Sequence, residues 1–313
     1  MSDPEPSAGL RAAVLQAAGP PPPAVPYVRA MDPRYGEAVE VAPALRRVTC
    51  RNPGPFTYLG TNSFIVGRGE VAVVDPGPDD AEHLAALVRA VEGERVAAVL
   101  VTHTHADHSP LARRFAEAVG SPPVLGLPDP AIETGELGAD AAFRPDRTLA
   151  DGERVPVGGL ELEVLATPGH ASNHLAFALG DLLLSGDHVM GWSTTIVSPP
   201  DGDMGAYLAS LDRVAERRFG ALHPAHGPVI ADPAPFVAAY RAHRLHREAQ
   251  VRAAVQAGVS RVAAMVELLY ADTDPRLHPA AARSVLAHLI RLVRLGEVRS
   301  DGPPSLEAAH LPA

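Results

Sequence analysis

Lysine is missing from this 313-residue chain: every one of its 27 basic side chains is arginine. That excludes Schiff-base chemistry and any lysine used to grip a substrate carboxylate. Cysteine occurs once, at Cys50, so neither an internal disulfide nor a cysteine-built zinc site can form. Metal ligands, if any, must be histidines and carboxylates. No stretch reaches the roughly 18 apolar residues needed to span a bilayer. The first 26 residues open acidic and are broken by prolines, unlike a secretory leader, which makes a cytoplasmic location the expectation. Net basicity is lacking too. With 37 acidic residues against 27 arginines the formal charge is −10, so the molecule repels phosphate backbones unless its cations gather on one surface.

What is present is a globular composition, 46% hydrophobic, enough for one large core or a core plus a small second domain. Residues 1–40 are rich in Ala and Pro and read as a flexible or surface-draped arm, with an extended run at 20–23. From Val41 strands and helices alternate. Residues 70–75 are compact and β-branched, a strand closed by Pro76 and Gly77. Asp79 or Asp80 then caps a helix with Leu84, Leu87, Val88 and Val91 at i, i+3, i+4 and i+7, ending at Gly93. Residues 96–102 form the next buried strand.

Directly after that strand the chain reads THTHADHSP, with His103, His105, Asp107 and His108 within six residues. Strand ends entering loops are where α/β folds place chemistry. The arrangement recurs. LELEVLA leads to TPGH and His170, DLLLSG to Asp187, and FGALHPAHGP to His226. Residues two apart in an extended loop share a side, so His103 and His105 can hold one ion while Asp107 and His108 turn to a second. His170 would complete the first set and His226 the second. Asp187 is the natural bridge, since a carboxylate can bind two divalent ions, and such a pair holds a shared hydroxide as nucleophile. Any one histidine is more readily a satisfied structural group; five histidines and two aspartates all falling after apolar strands point to a metal site.

THTHADH, TPGHASNH, SGDH and PAHGP, with Asp75 in VVDPG, resemble in matching order the signature motifs of the metallo-β-lactamase-fold hydrolases over residues 41–232. The resemblance implies an αββα sandwich with a dinuclear site at the shared edge of two sheets. It implies the same ligand sets, with Asp75 orienting the motif loop rather than serving only as a turn residue. The ions it implies are zinc, with manganese or iron as alternatives. A narrower resemblance, carried by RNPGPFTYLGTNSFIVG, DHSPLARR, GDHVMGWSTTIVSPPDGDM and YRAHRLHREAQV, is to the β-lactamase-like protein 2 group, which includes endoribonucleases. Ala106 and Ala225 depart from the residues more usual in these motifs and reshape the pocket without touching a ligand.

The expected organisation is a catalytic domain over 41–234, a winged-helix-like domain over 235–300 and a tail over 301–313. Residues 245–255, 260–270 and 279–295 read as helices and GEVRS as a wing strand. Residues 241–300 hold ten arginines against five acidic residues, which suits either phosphate contacts or, more simply, a helical cap with a solvated arginine face. Tyr270 is the lone clear aromatic there for base stacking. His174, four residues after His170, is either a proton donor facing substrate or a cap for the LAFAL strand. His188 and His223 flank ligand positions and read as structural.

The expected activity is metal-dependent hydrolysis. The narrower resemblance puts phosphodiester cleavage of single-stranded RNA first; the overall acidity works against nonspecific nucleic-acid affinity and makes a small anionic ester, thioester or lactone, in the manner of glyoxalase II, the alternative. Antibiotic hydrolysis fits poorly without an export signal or a lysine to seat the carboxylate. A di-iron redox site would place Glu where His105 stands. A non-catalytic nucleic-acid-binding protein with a structural metal is the reading from another class, against which the full ligand set speaks.

Overall fold

The computed structural model describes residues 7–128 and 138–313; residues 1–6 of the expected arm lie outside them. Most strands are apolar on both faces, so each must be covered from two sides. In the first sheet β1 (Val39–Ala42), β2 (Leu45–Thr49), β3 (Asn62–Arg68), β4 (Glu70–Val74), β5 (Arg95–Leu100), β6 (Val124–Gly126) and β7 (Arg147–Thr148) lie side by side in chain order. The second contains β8 (Arg154–Val157), β9 (Leu160–Ala166), β10 (Leu175–Leu179), β11 (Leu182–Gly186) and β12 (Ala221–Pro224), again with chain neighbours adjacent.

Phe64, Val66, Ala72 and Val74 meet Leu162, Val164, Leu175 and Phe177 between the sheets. Their neighbours Ile65, Val71 and Val73 turn to the opposite face, as the two-residue period of a strand requires. There α2 (Ala81–Ala90) and α3 (Ala112–Ala118) cover them with Leu87 and Phe115. Asp80 caps α2, its carboxylate accepting from the His83 N–H at 2.7 Å. On the far side, α4 (Met204–Arg217) and the start of α5 (Pro233–Gln256) pack Leu211 and Phe236 against Leu183 and Leu222. The layering is αββα, with the extra C-terminal helices expected from the sequence.

Three features differ from the sequence reading, the third being a strand in the expected tail. α1 (Ala8–Ala17) is a helix inside the expected arm, capped by Ser7, whose side chain accepts from the Leu10 N–H. Its Ala-rich sequence favours helix, and Val14 is 1% exposed in the C-terminal core, so burial secures what propensity begins. α5 begins at Pro233, so it straddles the boundary expected between 234 and 235. Proline fits the first helical turn, which needs no N–H donor, and the helix runs unbroken from the second sheet into the C-terminal core.

That core joins Val251 and Val255 to α6 (Val262–Leu269) and α7 (His278–Arg294) through Met265, Val285 and Leu289. β13 (Val298–Ser300) is the expected wing strand, and the segment expected as a tail returns to pair with it as β14 (His310–Pro312). Among the described residues no helix is long and apolar enough to cross a membrane.

Buried histidines tie this fold to pH. Burial pushes His83 down to about 4; it pushes His223 to about 4, with Arg47 adding; and it does the same to His243, with Arg244 and Arg247 adding. These groups stay neutral in the folded chain, while in the unfolded chain they take up protons near 6.5. Stability is therefore full above that value and is lost as pH falls from about 6.5 to about 4, by up to about 1.4 kcal/mol per pH unit for each group. Urea midpoints measured at about pH 7 and about pH 5 are expected to drop markedly on acidification.

Candidate metal centre

β4 runs parallel to β5, and β11 parallel to β12, so the C-terminal ends of each pair open on the same edge. Two hydrogen bonds stitch the sheets there: Leu175 N–H to the Thr102 carbonyl and Asn62 N–H to the Ala225 carbonyl, both 2.7 Å. The residues that follow these strand ends converge. Ligand atoms of His103, His105, His170 and Asp187 lie within 4.8 Å of one another, as do those of Asp107, His108 and His226. All seven residues singled out as metal ligands in the sequence thus come together in two adjoining groups.

The first group is built on imidazole nitrogens. His105 Nδ1 lies 2.9 Å from His103 Nε2 and 3.0 Å from His170 Nε2. His170 donates through Nδ1 to the Ile196 carbonyl at 2.6 Å, and His103 Nδ1 lies 3.0 Å from the Thr102 hydroxyl, itself donating to Asp75 at 2.7 Å. Those partners fix the tautomers and leave both Nε2 lone pairs facing inward. Burial, then His170, pushes His105 down to about 3, and burial with His108 holds His103 well below its usual range. The His103 and His105 rings are therefore neutral at neutral pH.

Carboxylates dominate the second group. His226 Nε2 lies 3.1 Å from Asp107 and 3.3 Å from Asp187, and His108 Nε2 lies 3.6 Å from each. Burial opposes charging His226, yet Asp187 and Asp107 push it up to about 10. Burial likewise opposes charging His108, but Asp107, Asp187 and Asp75 hold it well above its usual range. Asp187, which burial alone would raise, is held well below the carboxylate range by His226 and His108. Even so, His108 Nε2, His226 Nε2 and Asp187 Oδ1 are buried without a hydrogen-bond partner of good geometry. Buried polar atoms are seldom left unpaired. Orphaned nitrogens facing carboxylates form a donor set suited to divalent cations. Only Asp107 is appreciably open to solvent, its side chain 28% exposed against 9% or less for the carboxylate and imidazoles beside it.

Asp75 is buried under this group. It accepts from the Thr102 N–H and hydroxyl, both at 2.7 Å, and from His108 Nδ1 at 2.9 Å, in a left-handed backbone conformation with φ +49°. His174 is buried as well. Its Nε2 accepts from the Asp187 N–H at 3.1 Å and its Nδ1 pairs with the Thr167 hydroxyl at 2.8 Å. With both nitrogens engaged it is placed to position Asp187 rather than to meet substrate. Thr102 escaped the sequence reading although it stands next to His103. Ile196 carried no signal at all, because it acts through its backbone carbonyl.

The turn carrying His170 depends on Gly169, whose φ is +137°; a Cβ there would come 2.3 Å from the Tyr207 Cα on α4. Gly169→Ala is expected to destabilise the fold by about 3 kcal/mol, read from urea unfolding, since both strain and backbone overlap oppose it.

Beside the cluster lies a cavity of about 310 Å³ between the loop that follows Asp187 and helices α5 to α7. Trp192, Thr195, Ile196, Arg244, Arg247 and Tyr270 are among its walls. It abuts the histidines through Ile196, the partner of His170.

Residues 57–226 match the metallo-β-lactamase superfamily, and residues 262–303 match the β-lactamase-associated winged helix domain. An atrochrysone carboxyl ACP thioesterase of Aspergillus chevalieri is 34% identical over 234 residues, covering 72% of this chain and 70% of that protein. The β-lactamase-like protein 2 homolog of Drosophila melanogaster is 30% identical over 277 residues, covering 82% of this chain and 92% of its own. The structure of a β-lactamase domain protein from Burkholderia ambifaria superposes with a TM-score of 0.75 over 90% of this chain and 95% of that one; at 24% identity this speaks for the fold. With over half of its length matched and the layered architecture shared, the chain belongs to the metallo-β-lactamase superfamily of hydrolases.

Proposed function

We propose that this hydrolase cleaves a small ester or thioester with the help of two divalent ions. The cavity beside the cluster carries this reading: at about 310 Å³, walled by Trp192 and Tyr270 and lined on one side by residues of the C-terminal helices, it suits a small acyl group better than a polynucleotide track. His103, His105 and His170 would hold one ion, Asp107, His108 and His226 the other, with Asp187 between them. Nitrogen-rich donors favour zinc, with manganese or iron as alternatives. Two such ions would supply Lewis acidity toward the acyl oxygen and lower the pKa of water.

The chain's own residues do the positioning. Thr102 and Ile196 hold His103 and His170 in one tautomer, Asp75 orients His108, and His174 holds the Asp187 backbone. Asp107 presents its carboxylate to entering water. The relative named as a thioesterase supports the acyl reading.

Phosphodiester cleavage is the second reading, supported by the resemblance to the β-lactamase-like protein 2 group and by the winged helix module. Against it, Arg241, Arg252, Arg276, Arg291 and Arg294 are already paired with carboxylates of this chain, which leaves fewer cations for a phosphate backbone. The test offers acyl-thioesters and single-stranded RNA to metal-replete wild type and to Asp107→Asn. Wild type is expected to hold about two ions per chain and to turn over thioester, with Asp107→Asn about a hundredfold slower. RNA cleavage without thioester turnover would overturn the reading, and inertness toward both would leave a structural metal site.

A further inference from the structure

Among the described residues no acidic side chain lines the cavity beside the metal centre, although the chain as a whole carries −10. Two arginines of α5 line it instead. Arg244 is 3% exposed and donates to the Thr195 carbonyl; its guanidinium sits 5.4 Å from the Tyr207 ring centroid and 6.0 Å from that of Tyr240. Its Nε is buried with no partner. One turn on, Arg247 lies 4.2 Å over the Tyr270 ring, with a 3.4 Å contact to the Leu269 carbonyl. Among the described residues neither forms an ion pair with a carboxylate, whereas Arg241 and Arg252 on the same helix both do.

A buried guanidinium without a counter-charge is costly, and one held by rings and carbonyls keeps its charge and its remaining donors free for an incoming anion. Trp192 adds a further donor, a buried indole N–H that also lacks a partner. The positive field is felt by His243 on the same wall, which burial and then Arg244 and Arg247 push down to about 4. Phe56 and Leu277, 47% and 42% exposed, make the rim apolar.

We propose that this cavity is an anion subsite in which Arg247 and Arg244 take a carboxylate or phosphate carried by the substrate, while Trp192 and the apolar rim hold its body. The inference rests on the ester reading and deepens it: the substrate class becomes an ester or thioester with an apolar body and an anionic group remote from the cleaved bond. The anion is either a carboxylate on the acyl part or a phosphate on the leaving thiol or alcohol.

Trp192 is the chain's lone tryptophan, so its fluorescence reports on the cavity wall directly. Hexanoate, hexyl phosphate and hexanol are titrated into the metal-replete protein, into Arg247→Met, which keeps an apolar stem over Tyr270, and into Arg89→Met, which removes one exposed charge from α2. At least one of the two anions is expected to bind wild type and Arg89→Met about tenfold or more tighter than hexanol does, and Arg247→Met is expected to erase that preference. Which anion shows the larger preference tells the carboxylate from the phosphate source. Arg247→Lys, expected to restore part of the preference, serves if the Met variant does not fold. Anions binding no better than hexanol, or binding Arg247→Met as tightly as wild type, would overturn the subsite and place any anion at the metals. The two readings fail separately: loss of thioester turnover with this preference intact removes the ester reading, and turnover with no preference removes the subsite alone.

Discussion

Asp187→Asn is expected to lower turnover by roughly a thousandfold or more, about 4 kcal/mol of transition-state stabilisation, and to reduce metal content below the about two ions per chain of wild type. The side chain is nearly the same size, so the effect is one of charge. Asp187 faces His226 at 3.3 Å, His170 at 3.5 Å and His108 at 3.6 Å, so this member of the first group lies against the histidines of the second, where the proposed bridge would be. Removing its charge would leave the two proposed cations to repel across a buried site with less negative charge to offset them. Elemental analysis and steady-state kinetics on the same preparation check this together; full metal content with full turnover would remove Asp187 from the ion-binding set.

Asp75→Ala is expected to weaken metal binding by about ten- to a hundredfold in a chelator competition, without touching a proposed ligand atom. The carboxylate anchors three groups at once, the Thr102 N–H, the Thr102 hydroxyl and His108 Nδ1. Alanine leaves those donors buried and unpaired, and it must also adopt a φ of +49°, which alanine tolerates poorly. Asp75→Asn separates the two effects. Asparagine accepts the left-handed backbone and retains one acceptor oxygen, so its stability loss in urea is expected to be smaller than alanine's while metal affinity still falls. Equal affinity in all three proteins would reduce Asp75 to a turn residue.

Much of the fold was legible because its signals are local. Residues 70–74 and 160–166 become strands through apolar and β-branched runs, and Asp80 caps α2 through a contact three residues away. α1 was missed because alanine-rich helices this short need tertiary support, and Val14 finds it only in a core contributed from the other end of the chain. The start of α5 was missed because a proline that ends one helix also begins another. The arginines of the C-terminal segment read as phosphate contacts or as a solvated cap face; in the fold Arg294 pairs with Asp203 and Arg241 with Asp212, partners that no spacing rule relates.

The sequence by itself determined the seven candidate donors and that each follows a strand end, because motif spacing and the two-residue strand period are properties of the chain alone. Only the tertiary structure decided which nitrogens face inward, since that depends on Asp75 and the Ile196 carbonyl meeting the rings of His108 and His170, which lie far away along the chain. It also decided that Arg244 and Arg247 line a cavity while their helical neighbours are neutralised. Burial and counter-charge are set by packing between distant segments, and no single stretch of residues carries that information.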